Sequence, residues 1–201
     1  MKILLNGSEL KLQAADHEAV PLLISDHLMK KGLVLDKISV SGTDYFQLED
    51  IDWQLNQEST VEITAITPVM LCLSTIRDAV DYIERLISAF GTITECFRSD
   101  RHEEGARLLT SCISGIEWIN EVIVKIEPVL GIDYGKLEVN GEKITDYFIR
   151  YSGILNQITE AYEAKDMFLT ADLLEFELVP AFIGWQIMFN KIVHSHDSDE
   201  L

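Results

Sequence analysis

Asp172, Glu175 and Glu177 set three carboxylates among Leu173, Leu174, Phe176 and Leu178. On a helix Asp172 and Glu175 share a face at spacing three, while Glu177 points elsewhere. Inward carboxylates in helical proteins hold di-iron centres, which need a Glu from each of two helices and a Glu-x-x-His from each of two others. No Glu-x-x-His occurs in this chain. No metal is therefore expected, and the three acids read as solvated groups plus one partner for an arginine such as Arg150. His17, His27 and His102 are isolated, and His27 adjoins the inner stripe of a short helix as a packed histidine would. His194 and His196, with Asp197 and Asp199, lie in a tail expected to fray, which holds no fixed ligand geometry.

Nucleophilic chemistry finds no better footing. The chain has no Gly-x-Ser-x-Gly elbow, no GxGxxG, no P-loop and no HExxH. Cys72, Cys96 and Cys112 fall inside predicted helices without CxxC spacing. An odd number of cysteines without a disulfide framework points to reduced, buried thiols in a cytoplasm. Cys112, between Ser111 and Ile113, looks like core filling. A reactive thiolate wants adjacent positive charge, and the nearest base in sequence is Arg107. The expectation is no catalytic residue, no cofactor and no enzyme.

Charge narrows the partners. The 201 residues carry 34 acids against 16 bases, a formal −18, in a chain that is 47% hydrophobic with a mean hydropathy of +0.11. Such a field repels phosphate backbones and anionic lipid surfaces, so neither nucleic acid nor membrane is an expected partner. It suits basic partners, or simply keeps an oily fold dissolved. The apolar run Ile3-Leu4-Leu5 stops at Asn6-Gly7, too short for a secretory core. Leu178 to Phe189 falls short of a membrane span. A cytoplasmic protein is expected, large enough for one or two domains.

The first 68 residues alternate with period two. Ile3 and Leu5 precede Asn6-Gly7, and Leu10 and Leu12 follow it. Asn-Gly fills a two-residue type I′ turn at least steric cost, which sets Ile3 opposite Leu10 and Met1 opposite Leu12. A helix over Ala19 to Lys31 follows, with Pro21 in its first turn, an inner stripe of Val20, Leu23, Ile24 and Leu28, and Gly32 at its stop. Strands are predicted at Ile38–Val40, at Tyr45-Phe46 after a turn at Gly42 to Asp44, and at Val61, Ile63 and Ala65.

This order of hairpin, helix, strand, short strand and final strand resembles a β-grasp (ubiquitin-like) domain. The small bacterial sulfur carriers come nearest, on the Asn-Gly hairpin, the strand at Ile38–Val40, and the ending Ser59-Thr60-Val61-Glu62-Ile63-Thr64 that leads into Thr67-Pro68. Sulfur carriers end in a free Gly-Gly carboxylate. Here Pro68 runs into Val69-Met70-Leu71 and a long helix, so that chemistry is not implied.

From Val69 the apolar spacing changes to threes and fours. The first long helix uses Val69, Leu73, Ile76, Val80, Ile83, Ile87 and Phe90, then Phe97 after a gap at Thr94, and closes over Arg98 to His102. The second uses Leu109, Cys112, Ile116, Ile119, Ile123 and Ile126 and stops at Pro128. Leu137 to Glu142 forms a miniature hairpin or a plain turn. The third helix carries Ile144, Phe148, Tyr151, Leu155, Ile158 and Tyr162. Asp166 caps a fourth, whose seam is Leu169, Leu173, Phe176, Pro180, Ile183 and Ile187, with a kink at Pro180. Leu174, Leu178, Trp185, Met188 and Ile192 lie off that seam, so this helix is greasy on two sides. The fold class is α+β: a β-grasp-like domain over 1–68, an antiparallel four-helix bundle over 69–195, and a frayed acidic tail over 196–201.

Gly91, Gly115, Gly153 and Gly184 sit one inside each long helix, against propensity. They mark close crossings, or clearance for a ligand or a partner's helix. Trp53, Trp118 and Trp185 serve as core packing or, if Trp185 is exposed, as an interface anchor. The leading expectation is an adaptor or chaperone-like interaction protein. It would take a partner's amphipathic or basic helix on the last helix, around Phe176, Pro180, Ile183 and Trp185. In acidity and helical content it is similar to bacterial secretion or flagellar-export chaperones. The alternatives are a small-molecule or metal-binding bundle, enzymatic or not, and a structural homo-oligomer.

Overall fold

The computed structural model describes residues 1–12, 18–54, 56, 59–139 and 141–199, with side chains through 197. His17, Asn140 and the end of the tail lie outside the described residues. The chain divides into two units, Met1–Cys72 and Leu73–Leu201.

The first unit is built on a five-stranded mixed sheet of order β2-β1-β5-β3-β4. Its strands are β1 (Lys2–Leu5), β2 (Ser8–Glu9), β3 (Val34–Val40), β4 (Thr43–Tyr45) and β5 (Thr60–Ile66), and its helix is α1 (Val20–Lys30). β1 runs parallel to β5, and the other pairings are antiparallel. The opening hairpin takes the expected register: Leu4 faces Glu9, and the Leu10 N–H donates to the Ile3 carbonyl at 2.8 Å. Asn6 and Gly7 hold φ of 48° and 79° at its turn, the left-handed pair that a type I′ connection requires. Val20, Ile24 and Leu28 of α1 join Ile3, Ile38, Val61 and Ile63 in one core, and the indole of Trp53 donates to the Leu48 carbonyl at 2.9 Å. The short strand ends at Tyr45, and Phe46 stands 69% exposed rather than in the sheet.

Asn6 does more than turn the chain. Its Nδ2 donates to the Ala65 carbonyl at 2.8 Å, and its Oδ1 accepts from the Ala65 N–H at 2.9 Å, so one side chain ties the hairpin tip to β5. Alanine at position 6 is expected to lower the opening free energy of β1 and β5 by about 2 kcal/mol, from two lost hydrogen bonds and a disfavoured positive φ. Glycine should recover only the backbone share. Amide exchange at Ala65 checks both.

The second unit is helical: α2 (Pro68–Arg98, begun in the first unit), α3 (His102–Leu130), α4 (Ile144–Glu163), α5 (Met167–Leu173) and α6 (Val179–Asp199). A small hairpin of β6 (Glu138–Val139) and β7 (Glu142–Lys143) precedes α4 and buries Val139. Asp166 caps α5 as expected, its carboxylate accepting from the Leu169 N–H at 3.0 Å. α3 runs past Pro128 to a left-handed Gly131 cap. Proline deprives only the Val124 carbonyl of its donor, and Val124 stands 60% exposed, where water can serve. α6 likewise continues to Asp199, where a frayed tail was expected, and Asp197 pairs with Arg77 at 2.8 Å.

Contacts between the helices run in opposing order. Arg77, Glu84, Phe90 and Arg98 of α2 meet Asp197, Gln186, Phe182 and Asp172 in turn, and Tyr147 and Tyr151 of α4 meet Trp185 and Phe182. The α5–α6 stretch therefore runs antiparallel to α2, and α6 antiparallel to α4.

The last helical stretch departs most from the sequence reading. α5 and α6 are joined by a π-helical turn over Leu174–Leu178, closed by the Val179 N–H on the Leu174 carbonyl. Pro180, which has no N–H to give, is accommodated directly after this widened turn. The buried face is also the other one: Leu174, Leu178, Ala181, Phe182, Trp185, Met188 and Ile192 are buried, whereas Leu169, Phe176 and Ile183 are 47%, 62% and 42% exposed. Both series repeat at three and four, on opposite sides. The series that includes Phe182 and Trp185 removes more apolar surface from water, and it wins.

Candidate functional site

Three of the helix contacts in the second unit are closed by interlocking side chains. Between α2 and α3, Tyr82 lies against Gly115 so tightly that a Cβ there would stand 2.3 Å from the phenol oxygen, and the same ring meets Trp118 edge-on at 5.4 Å. Between α4 and α6, Tyr147 occupies the space over Gly184, where a Cβ would come within 1.9 Å of its oxygen. Tyr147 also donates to the Ala181 carbonyl at 2.7 Å. Between α2 and α6, Phe90 packs on Phe182 with centroids 5.6 Å apart. Gly115 and Gly184 thus answer the close-crossing reading, while a Cβ at Gly91 or Gly153 would meet nothing within 4 Å.

α3 and α4 face each other differently. Ile113, Ile116, Glu117 and Asn120 of α3 and Leu155, Ile158, Thr159 and Tyr162 of α4 recur at the same spacing of three, one and three, so each set forms one helix face. Between them lies an open cleft of about 320 Å³, floored by Leu174 and Leu178 of the π turn. Both floor residues are buried, whereas Ile113 on the wall is 48% exposed. At one end the Tyr151 hydroxyl donates to Asn120 Oδ1 at 2.8 Å. Burial pushes the Tyr151 phenol far above its usual range, so it stays a neutral donor. Thr110 and Thr159 turn their hydroxyls back onto the Ala106 and Leu155 carbonyls, both at 2.9 Å. Their polar atoms are satisfied without reaching across.

The residues singled out from sequence separate. Phe176, Pro180 and Ile183 share the outward face of the last helix. Trp185 does not join them and is corrected to a core residue. It is fully buried, edge-on to Tyr147 at 5.0 Å and to Tyr151 at 5.8 Å, because its side of the helix faces α4. Asp172 and Glu175 bind Arg98 at 2.6 and 2.5 Å, and the Arg98 guanidinium lies over the Phe176 ring at 5.8 Å. Arg150 instead takes Glu142 at 2.9 Å and covers Tyr147. The acids of that stretch thus form a surface clamp. Burial raises the Cys112 thiol, in keeping with core filling. Among the described residues no group of three or more His, Cys, Asp or Glu converges on one point, and no helix is long and apolar enough to cross a membrane.

Sequence reasoning missed the cleft. Its one visible signal was Ile113, an apolar residue beside the α3 seam with no assigned partner. No curated protein and no solved structure matches the chain. One family model does, a domain of unknown function (DUF8042), over residues 74–188. That span holds every residue of the cleft, from Leu109 to Leu178. With more than half of its length matched, the chain belongs to the DUF8042 family.

Proposed function

We propose that the protein is a non-enzymatic interaction protein whose second unit is an antiparallel four-helix bundle with one seam left open, and that this seam takes the apolar face of a partner protein's amphipathic helix. The first unit, with strand order 2-1-5-3-4, parallel β1 and β5 and one helix, is read as a β-grasp domain. The observation that carries the proposal is the open cleft between α3 and α4. Concave apolar surface is where binding energy concentrates. Its two walls have helical periodicity, as helix-in-groove recognition uses. From Leu109 to Asn120 the wall rises roughly 17 Å, about three helical turns. The volume suits a few anchoring side chains beneath a helix that lies over the walls. The outward face of the last helix is the weaker candidate, being convex and partly covered at Phe176 by Arg98. Three free thiols, Cys72, Cys96 and Cys112, favour a reducing, cytoplasmic setting.

The test is fluorescence anisotropy with a labelled, designed amphipathic helix carrying leucines at i, i+3 and i+7, against a scrambled peptide of the same composition. Ile113→Asp is expected to weaken binding about tenfold or more, since it places a charge on the apolar wall. Ile183→Asp, on the outward face, should leave it within about twofold. The reverse ranking would move the site to the last helix, and equal binding of the scrambled peptide would end the proposal.

A further inference from the structure

Resting on the reading that the seam receives a helix, we infer that the helix it selects is basic, with a lysine or arginine placed to meet Glu117. Glu117 is the one carboxylate among the cleft-lining residues. Among the described residues its side chain makes no ion pair and no hydrogen bond, while several bases of the helical unit are already paired. Lys125 is taken by Glu121 at 2.7 Å, Arg150 by Glu142 at 2.9 Å, and Arg98 by Asp172 and Glu175. Along α3 the bases nearest Glu117 are Lys125 and Arg107, roughly 12 and 15 Å away by helical rise. Among the described residues no base lines the cleft.

A helix laid across the walls takes Glu117 out of water. A covered carboxylate without a partner carries its full desolvation penalty, whereas a charge-assisted hydrogen bond from an incoming ammonium or guanidinium offsets it. The other polar side chains of the cleft are hydroxyls and one amide, which cost less to cover than a carboxylate, and Tyr162 among them is half-exposed. Thr110 and Thr159 already donate to their own helices, and Asn120 already accepts from Tyr151. Glu117 is therefore where the occupant's sequence is discriminated. A chain of formal charge −18 adds to the preference at long range. An acidic helix meets an uncompensated carboxylate at close quarters, and a purely apolar one strands it.

The probes are two designed helices of equal length and helicity, Leu/Lys and Leu/Glu, titrated by anisotropy into the full chain and into Glu117→Gln and Glu117→Lys variants. The Leu/Lys helix is expected to bind the wild type about tenfold or more tighter than Leu/Glu. Glu117→Gln should shrink that ratio several-fold, and Glu117→Lys should bring it near unity or invert it. A ratio near one for the wild type overturns the inference and leaves the seam reading standing. A large ratio unmoved by either substitution also overturns it, assigning the preference to overall charge. Failure of both helices to bind the wild type, or binding that Ile113→Asp leaves unchanged, overturns the seam reading itself.

Discussion

Trp185→Ala is expected to destabilise the helical unit by about 4 kcal/mol, the largest effect of any substitution considered. The indole is fully buried and meets Tyr147, Phe148 and Tyr151 edge-on at 5.0, 6.2 and 5.8 Å. Deleting it opens a cavity walled by aromatic rings that cannot collapse without losing their own contacts. Trp185→Phe should behave otherwise. The indole Nε1 is buried without a hydrogen-bond partner among the described residues. An orphaned buried donor costs on the order of 1–3 kcal/mol, so removing it offsets much of the smaller cavity that phenylalanine leaves, for a net loss of about 1 kcal/mol. Urea denaturation followed by helical circular dichroism measures both. A Trp185→Ala variant within about 1 kcal/mol of wild type would falsify the core assignment. Seam affinity in Trp185→Phe should be unchanged, because Trp185 does not line the cleft.

That prediction marks where sequence reading stops. Asn6-Gly7 was legible down to its register because the dipeptide answers a backbone demand, a positive φ at both positions. The seam of α2 through Leu73, Ile76, Ile83 and Phe90 was legible for a comparable reason: one apolar face leaves one way to pack. The last helix has two such faces, and periodicity cannot rank them. Ranking needs the neighbours, and it was the pocket over Gly184, filled by Tyr147 from α4, that committed the Trp185 side to the interior. Pro180 was expected to kink the helix. A π turn ends at Leu178, two positions before the proline, a local choice that the proline alone does not specify. The cleft was the least legible element. Spacing puts the apolar residues of α4 on one stripe, yet Tyr151 and Ile158 are buried while Phe148, Leu155 and Tyr162 are half-exposed. Apolar spacing says which side of a helix avoids water. It does not say whether the chain itself supplies the cover.

The interior glycines turn that distinction into a measurement. Gly184→Ala places a methyl 1.9 Å from the Tyr147 oxygen and 2.6 Å from the ring carbon that bears it. Tyr147 is 3% exposed and its hydroxyl is committed to the Ala181 carbonyl, so the ring has nowhere to swing. Overpacking of this kind costs about 1–3 kcal/mol and the displaced hydrogen bond about 1 more, against a helix-propensity gain of about 1, for a net loss of about 2–3 kcal/mol. Gly115→Ala should cost less. Its clash is with Tyr82, which is only half-buried and can move its hydroxyl outward. Gly91→Ala and Gly153→Ala meet open space and should each stabilise by up to about 1 kcal/mol. The decisive comparison is Gly184→Ala combined with Tyr147→Phe. Removing the phenol oxygen relieves the 1.9 Å contact and frees the ring, still 2.6 Å away, from its hydrogen bond so that it can back off, and the double variant should be more stable than the sum of the single losses by about 1 kcal/mol or more. Additive losses would mean that the α4–α6 crossing is held apart by something other than that hydroxyl.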